Sequence, residues 1–431
     1  MADITGLYAL FQQHPVVTTD TRDCPPGSIF FALRGTTFDG NAFALQALKA
    51  GCACAVVDDP AVEGDGRLIH VPDALEALQQ LAAYHRRQLG LPVIQITGTN
   101  GKTTTKELVT AVLARRYNVL ATQGNFNNHI GVPKTLLRLT ARHEVAVVET
   151  GANHPGEIAA LSRVADPDCG LITNVGKAHL EGFGSFEGVI RTKGELYDYL
   201  RQKGGYIFLD AGNPHLARIA GGLEAVRYGA PGQGCDVEGE LADNGPMLSL
   251  RWRPAGGEWQ TVQTNLVGAY NLGNALAAAA VGVRFGVAPA DISQALADYV
   301  PALGRSQLKD TGRNRLVVDA YNANPTSMAA ALTGFARMGG EAKMVILGDM
   351  RELGDASAAE HQTVVDRLPA VGCQDAWLVG PCFAATRHDG CRVFPDVEAV
   401  KEELRNHPQQ GRLILIKGSH GTRLFELADV L

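Results

Sequence analysis

A chain of 431 residues is longer than one hydrophobic core serves, and at about one domain per 150 residues the expectation is two or three, with three adopted here. With 45% hydrophobic and 19% charged residues, the composition is that of a globular protein and excludes extended disorder. A formal net charge of -6 gives no basic footprint for nucleic acid, so any phosphate the chain binds must meet a local site.

The opening MADITGLYALFQQHP lacks the basic and apolar regions of a secretory signal, and no later stretch has the apolar length of a bilayer span; the cytoplasm is the expected compartment. Eight scattered cysteines form no CxxC pair, which argues against a disulfide framework or a zinc site and for mostly buried thiols. Residues 28–33, 53–57 and 68–71 read as short strands and 41–50 and 74–89 as helices, closed by Gly90-Leu91-Pro92.

From Val93 the pattern becomes a series of buried strands, at 93–97, 119–122, 145–149, 171–174 and 206–209, most followed by a turn and a helix. That alternation predicts a parallel sheet with covering helices and ligands at the carboxyl ends of its strands. Between residues 235 and 267 polar and apolar residues alternate around Gly/Pro turns, predicting an antiparallel insertion or edge. Alanine-rich helices follow over 271–285 and 290–300, and 301–304 reads as a hinge. A third α/β unit has strands at 316–319, 344–347, 376–379 and 413–416, with Asn324-Pro325 placed as an N-cap and a first-turn proline. The expected domains are thus 1–90, 91–304 and 305–431.

The clearest chemical signal is the strand ending at Thr97, the loop Gly98-Thr99-Asn100-Gly101-Lys102-Thr103-Thr104-Thr105, and a helix expected over 106–115. Such a unit turns backbone N–H groups and a positive dipole end toward phosphate oxygens. Lys102 would neutralise the β and γ phosphates and Thr103 would ligate magnesium. The spacing departs from GxxxxGK[ST], because Ile96 stands where its first glycine would be. Other charged residues lie at or beyond strand ends. Glu149 suits a magnesium ligand or a solvated strand end, and His179, taken alone, reads more readily as structural. Lys193 reads as a surface helix lysine. Three polar strand ends, 319–325, 347–354 and 417–423, favour a binding face on the third unit.

Taken together, the GTNGKT loop, Asn127-Asn128-His129-Ile130-Gly131-Val132-Pro133, the ETGANH run from Glu149, NVGKAHLEGFGS from Asn174, Lys193-Gly194-Glu195, YNANP from Tyr321, GDMRELG from Gly348 and Lys417-Gly418-Ser419 resemble the Mur ligases of bacterial cell-wall synthesis. The resemblance covers nearly the whole chain. It implies an N-terminal α/β UDP-binding domain, a central parallel-sheet P-loop ATPase domain and a Rossmann-like C-terminal domain. It implies ATP and Mg2+, with carbamylated Lys193, Glu149 and His179 holding one ion and Thr103 and Glu149 the other. Asn271, Asn274, Arg305 and Asp319 resemble nucleotide contacts of the family. Asp20, Thr21, Arg22, Asp39 and Gly40, with Asn127 and Asn128, resemble its UDP-substrate contacts, and Tyr321, Asn322 and Asn324 would meet the incoming dipeptide.

Within the family it resembles, a member adding a diamino acid is expected to carry an acidic-Asn-Pro-Arg motif; none is present, which favours the branch that adds D-alanyl-D-alanine to UDP-N-acetylmuramoyl-tripeptide. A monomer is expected. Where the family often reads KGSR, His420 follows Ser419, leaving Arg423 to compensate. A folylpolyglutamate-type ligase would share the nucleotide loop but lack the first ~90 residues as a UDP unit. A P-loop switch protein would share the loop without ligation.

Overall fold

The computed structural model describes residues 3–243, 245–301, 307–339 and 342–431. Arg305 and the boundary expected at 304/305 lie outside the described residues. Three sheets organise the chain.

The first sheet is parallel, with Val17–Thr18, Ile29–Phe31, Cys54–Val57 and Leu68–His70 in sequential order. Its covering helix Ala74–Leu89 has the limits expected from sequence, because both ends are marked: Asp73 accepts from the Glu76 N–H, and Gly90 takes φ 64°. Ahead of the sheet lies the helix Ile4–Gln13, capped by Asp3, an element not among those expected from the sequence.

The second sheet has nine strands. Val93–Thr97 lies between Cys169–Ile172 and Val145–Glu149, with Val119–Ala121 outermost on the second side. Tyr206–Asp210, Glu224–Gly229 and Val237–Leu241 extend the other side in parallel. Met247–Pro254 and Gln260–Val267 complete it antiparallel, as the alternating pattern predicted. Most of the central strands are fully buried, the state in which continuous Val/Ile runs are expected. Helices Leu272–Arg284 and Lys102–Leu113 share one core on one face, including Val109, Val112, Ala278 and Val281. On the other face Val93, Leu136 and Val148 pack in the same cluster as Phe11, Ile29 and Leu78 of the first unit, so the two units have continuous cores.

The third sheet has Gln307–Asp310 antiparallel to Arg315–Asp319, then Leu413–Lys417, Lys343–Gly348, Asp375–Val379 and Arg392–Phe394 in parallel. Its two faces bury separate clusters around Phe335 and Leu347 and around Trp377 and Ile416. All eight cysteines are free; Cys52, Cys54, Cys169 and Cys235 are buried, and the other four are half-buried rather than core.

Candidate active site

The helix after the glycine loop begins at Lys102, four residues before its expected start. Gly101 at φ 77° turns the chain into it, and the threonine run, poor in helix propensity, conceals the start in the sequence. A Cβ on Gly101 would stand 2.6 Å from Asn274 Oδ1, and one on Gly98 would overlap Thr173 Oγ1. The loop is therefore held from outside. The strand expected over 171–174 ends at Ile172, and the next two residues bend to serve the loop. Thr99 N–H donates to the Asn174 carbonyl at 2.9 Å, Asn100 N–H to Asn174 Oδ1 at 3.0 Å, and Thr173 Oγ1 to the Asn100 carbonyl at 2.6 Å. Lys102 folds back, Nζ donating to the Thr99 carbonyl at 3.1 Å.

Beside the loop opens a cavity of about 680 Å3. Its wall joins Thr99, Asn100, Gly101, Lys102, Thr103 and Thr104 to Glu149 and His179, to Asn127 and Asn128, and to Asn271 and Asn274. From the third unit come Asp319, Tyr321 and Asn322. Gly98, Lys193 and Asn324 stand outside the wall, but Asn324 Nδ2 donates to Asn100 Oδ1 at 2.7 Å and ties the third unit to the loop. Asp20, Thr21, Arg22, Asp39 and Gly40 are not brought to this cavity. Asp20 pairs with Arg22 at 2.7 Å, and Asp39 caps a short turn by accepting from the Asn41 N–H. Gln79 of the first unit's long helix does reach the cavity wall, its Nε2 donating to the His129 carbonyl at 3.1 Å.

Several titratable groups at and near the cavity are buried. Glu149 is 1% exposed; its Oε1 accepts from Asn127 Nδ2 at 2.8 Å and its Oε2 has no hydrogen-bond partner. A buried carboxylate oxygen with no donor is costly unless a cation meets it. Lys193 is no surface lysine: it is 1% exposed, with Nζ 3.5 Å from the Ala152 carbonyl and 5.4 Å from the centre of the Phe183 ring. Burial, then the Lys102 charge, push its ammonium down to about 7, against the pull of Glu157 and Glu195. Burial also lowers His179, while the Glu352 carboxylate against its Nδ1 works the other way.

In the third unit Lys417, 1% exposed, pairs its Nζ with Asp319 Oδ2 at 2.6 Å, the two residues being sheet neighbours in register. Arg423 does not compensate for His420. It turns away to Glu426 at 2.6 Å, and His420 stacks on Phe425 with ring centres 5.1 Å apart. The guanidinium at this loop is that of Arg351, whose Cζ lies 2.5 Å from where a Cβ on Gly421 would stand. Gln79, Glu157, Glu352 and Lys417 also line the cavity. Of these, Glu352 and Lys417 sit inside GDMRELG and KGS, a signal that marked the segments without marking the residues.

The chain matches three family models: "Mur ligase family, catalytic domain" over residues 15–86, "Mur ligase middle domain" over 96–282 and "Mur ligase, glutamate ligase domain" over 304–420. It is 36% identical over 427 residues to the UDP-N-acetylmuramoyl-tripeptide--D-alanyl-D-alanine ligase of Bacillus subtilis, covering 96% of this chain and 92% of that one. The Escherichia coli protein of the same name is 37% identical over 425 residues, covering 96% and 93%. Among solved structures, MurF from Acinetobacter baumannii superposes with a TM-score of 0.87 at 33% identity, covering 98% and 97% of the two chains. MurF from Thermotoga maritima, in complex with ADP, superposes with a TM-score of 0.87 at 25% identity, covering 100% and 98%. Escherichia coli FolC shares only the fold, at 17% identity and a TM-score of 0.61 over 83% of this chain. With relatives above 30% identity over nearly its entire length, the chain belongs to the Mur ligase family.

Proposed function

We propose that this chain is the ATP-dependent ligase that joins D-alanyl-D-alanine to UDP-N-acetylmuramoyl-tripeptide in peptidoglycan precursor synthesis, a cytoplasmic reaction of a monomer. The observation that carries the reading is the cavity itself, where a helix-opening phosphate loop and an orphaned carboxylate on the middle sheet face an aspartate and an asparagine-rich turn on the third.

The tripeptide carboxylate attacks the γ-phosphoryl group of ATP, one P–O bond forming as the bond to ADP breaks. The amine of D-alanyl-D-alanine then attacks the acyl carbon; the C–N bond forms, phosphate departs and the amine gives up a proton. Lys102 and the N–H groups opening the helix at residue 102 neutralise the phosphate oxygens, and most of the acceleration is positioning and charge neutralisation. Lys102 at rest on the Thr99 carbonyl is a short swing from that task. Asn271 and Asn274 hold the nucleotide from the middle unit and Asp319 takes the ribose, oriented by Lys417. Asp20, Thr21, Arg22, Asp39 and Gly40 form the UDP end of the acceptor site, with Asn127 and Asn128 on the path to the cavity. Tyr321, Asn322 and Asn324 receive the dipeptide.

Mg2+ fits the residues present. Thr103 and Glu149 would hold one ion, and Glu149, His179 and carbamylated Lys193 another. A lysine brought down to about 7 has about half of its population as the amine near neutral pH, the form that takes up CO2. The ions supply charge neutralisation at the transferring phosphoryl group.

Oxygen tracing tests the reading. With the tripeptide carboxylate labelled with 18O, the released inorganic phosphate is expected to carry one label. Unlabelled phosphate would mean direct hydrolysis of ATP and would contradict it.

A further inference from the structure

The turn at residues 348–354 is held from several sides. The Asp349 carboxylate accepts from the Cys382 and Phe383 N–H groups, both at 2.9 Å. His361 Nε2 accepts from the Met350 N–H at 3.0 Å while Nδ1 faces the Ser357 carbonyl at 2.7 Å, so neither ring nitrogen is left for a metal. Arg351 N–H donates to Ser419 Oγ at 3.2 Å. The turn then projects Glu352 across the gap to the middle unit. There its carboxylate lies against His179 Nδ1, and its carbonyl accepts from the Glu181 N–H at 3.4 Å.

The backbone gives an independent sign. His179 has φ 50° and Glu352 φ 62°, two of four non-glycine residues at positive φ among the described residues. Such a conformation is strained for a residue with a side chain and survives where the surroundings over-determine it, often at functional positions. Here both ends of a single contact, on different units, carry it.

We propose that Glu352 is a positioning residue of the reaction centre. It holds His179 through Nδ1 and leaves Nε2 as the ligand atom for a divalent cation, so that this ion's site is complete only when the third unit is docked. The inference rests on the reading that His179 serves with Glu149 and Lys193 as a cation ligand. Metal-binding histidines commonly give their second ring N–H to a carboxylate, which fixes the tautomer and raises the basicity of the ligating nitrogen. Here the carboxylate that lies against Nδ1 comes from the third unit, which couples ion affinity to docking. Other contacts keep the units together without it: Lys177 Nζ meets Glu360 at 2.6 Å, Lys177 N–H donates to Thr326 Oγ1 at 3.0 Å, and Asn324 meets Asn100. The Glu352 side chain is 54% exposed, so its replacement does not endanger the fold.

The test titrates Mn2+ into the full chain with ADP, reading free Mn2+ by its paramagnetic resonance signal. Glu352→Ala is expected to weaken the second ion by about 10–100-fold. Glu352→Gln, which retains an acceptor oxygen, recovers most of that affinity. In His179→Ala the second ion is lost, and adding Glu352→Ala to it changes nothing further. Unchanged second-ion affinity in Glu352→Ala overturns the proposal, and so does tighter binding, which would make Glu352 a competitor of the ion. Wild-type protein that takes up ADP but a single ion also overturns it, while leaving the nucleotide site standing. Absence of ADP uptake contradicts the ligase reading itself and this inference with it.

Discussion

Burial and the Lys102 charge hold the Lys193 ammonium near neutrality in the folded chain, whereas in the unfolded chain it returns toward its ordinary 10.5. Between about 7 and 10.5 the unfolded state therefore binds more protons, and stability rises with pH across that window. The rise from this one group reaches at most about 1.4 kcal/mol per pH unit. Denaturant titrations in CO2-free buffer at several values across the window should show it, and Lys193→Met should remove that part of the slope. The residues around Lys193 hide its role, because Arg191, Thr192 and Glu195 give the helix a polar look while the tertiary fold buries the lysine. Only the family resemblance assigned it to a metal. Lys417 repeats the lesson. Its ion pair with Asp319 is a matter of sheet register, which no local pattern contains. Lys417→Met leaves Asp319 without its partner and is expected to cost about 3–5 kcal/mol of stability in the third unit, with a raised KM for ATP. A wild-type melting profile and KM would show that the pair positions nothing.

Among the elements, the glycine loop was legible where its chemistry is local. Strand, glycines, lysine and threonine are adjacent in sequence, and strand Val93–Thr97 and helix Ala74–Leu89 have their expected limits. Helix Lys102–Leu113 starts earlier than its local sequence suggests, because Gly101 enters it at positive φ and three threonines follow Lys102. Strand Glu224–Gly229, with a glutamate and an arginine in six residues, lacks the apolar run by which its neighbours were recognised. Gly101→Ala tests the loop as an element. At φ 77° and with Asn274 Oδ1 2.6 Å from the new methyl, the substitution strains the backbone and displaces an expected nucleotide contact. Calorimetry is expected to show ADP affinity lower by about tenfold or more, the equivalent of 1.4 kcal/mol of strain. Unaltered affinity would mean the loop tolerates a side chain facing Asn274, contrary to the packing described.

For the whole molecule, the strand order explains why residues from distant segments converge. Val93–Thr97 sits between the strands ending at Ile172 and Glu149, so the segments after both flank the phosphate loop, and residues of the third unit complete the cavity wall. The family, the α/β class and the three-sheet organisation were legible from motifs in order along the chain. The contacts between units were not, since they pair residues such as Asn100 with Asn324 and His179 with Glu352, which are far apart in sequence and stand in separate motifs that do not name each other as partners. Lys102→Ala is expected to lower turnover at least about 10²–10³-fold, by removing the main charge on the transferring phosphoryl group. A folded variant with near-normal turnover would remove the loop from the mechanism.

The most direct test of the central claim is the dependence of ADP release on the two organic substrates, followed in a coupled assay. Ligation predicts ADP release that needs both UDP-N-acetylmuramoyl-tripeptide and D-alanyl-D-alanine, with ADP and the new amide formed in equal amounts. Steady ADP release indifferent to the dipeptide, with no amide formed, would contradict it.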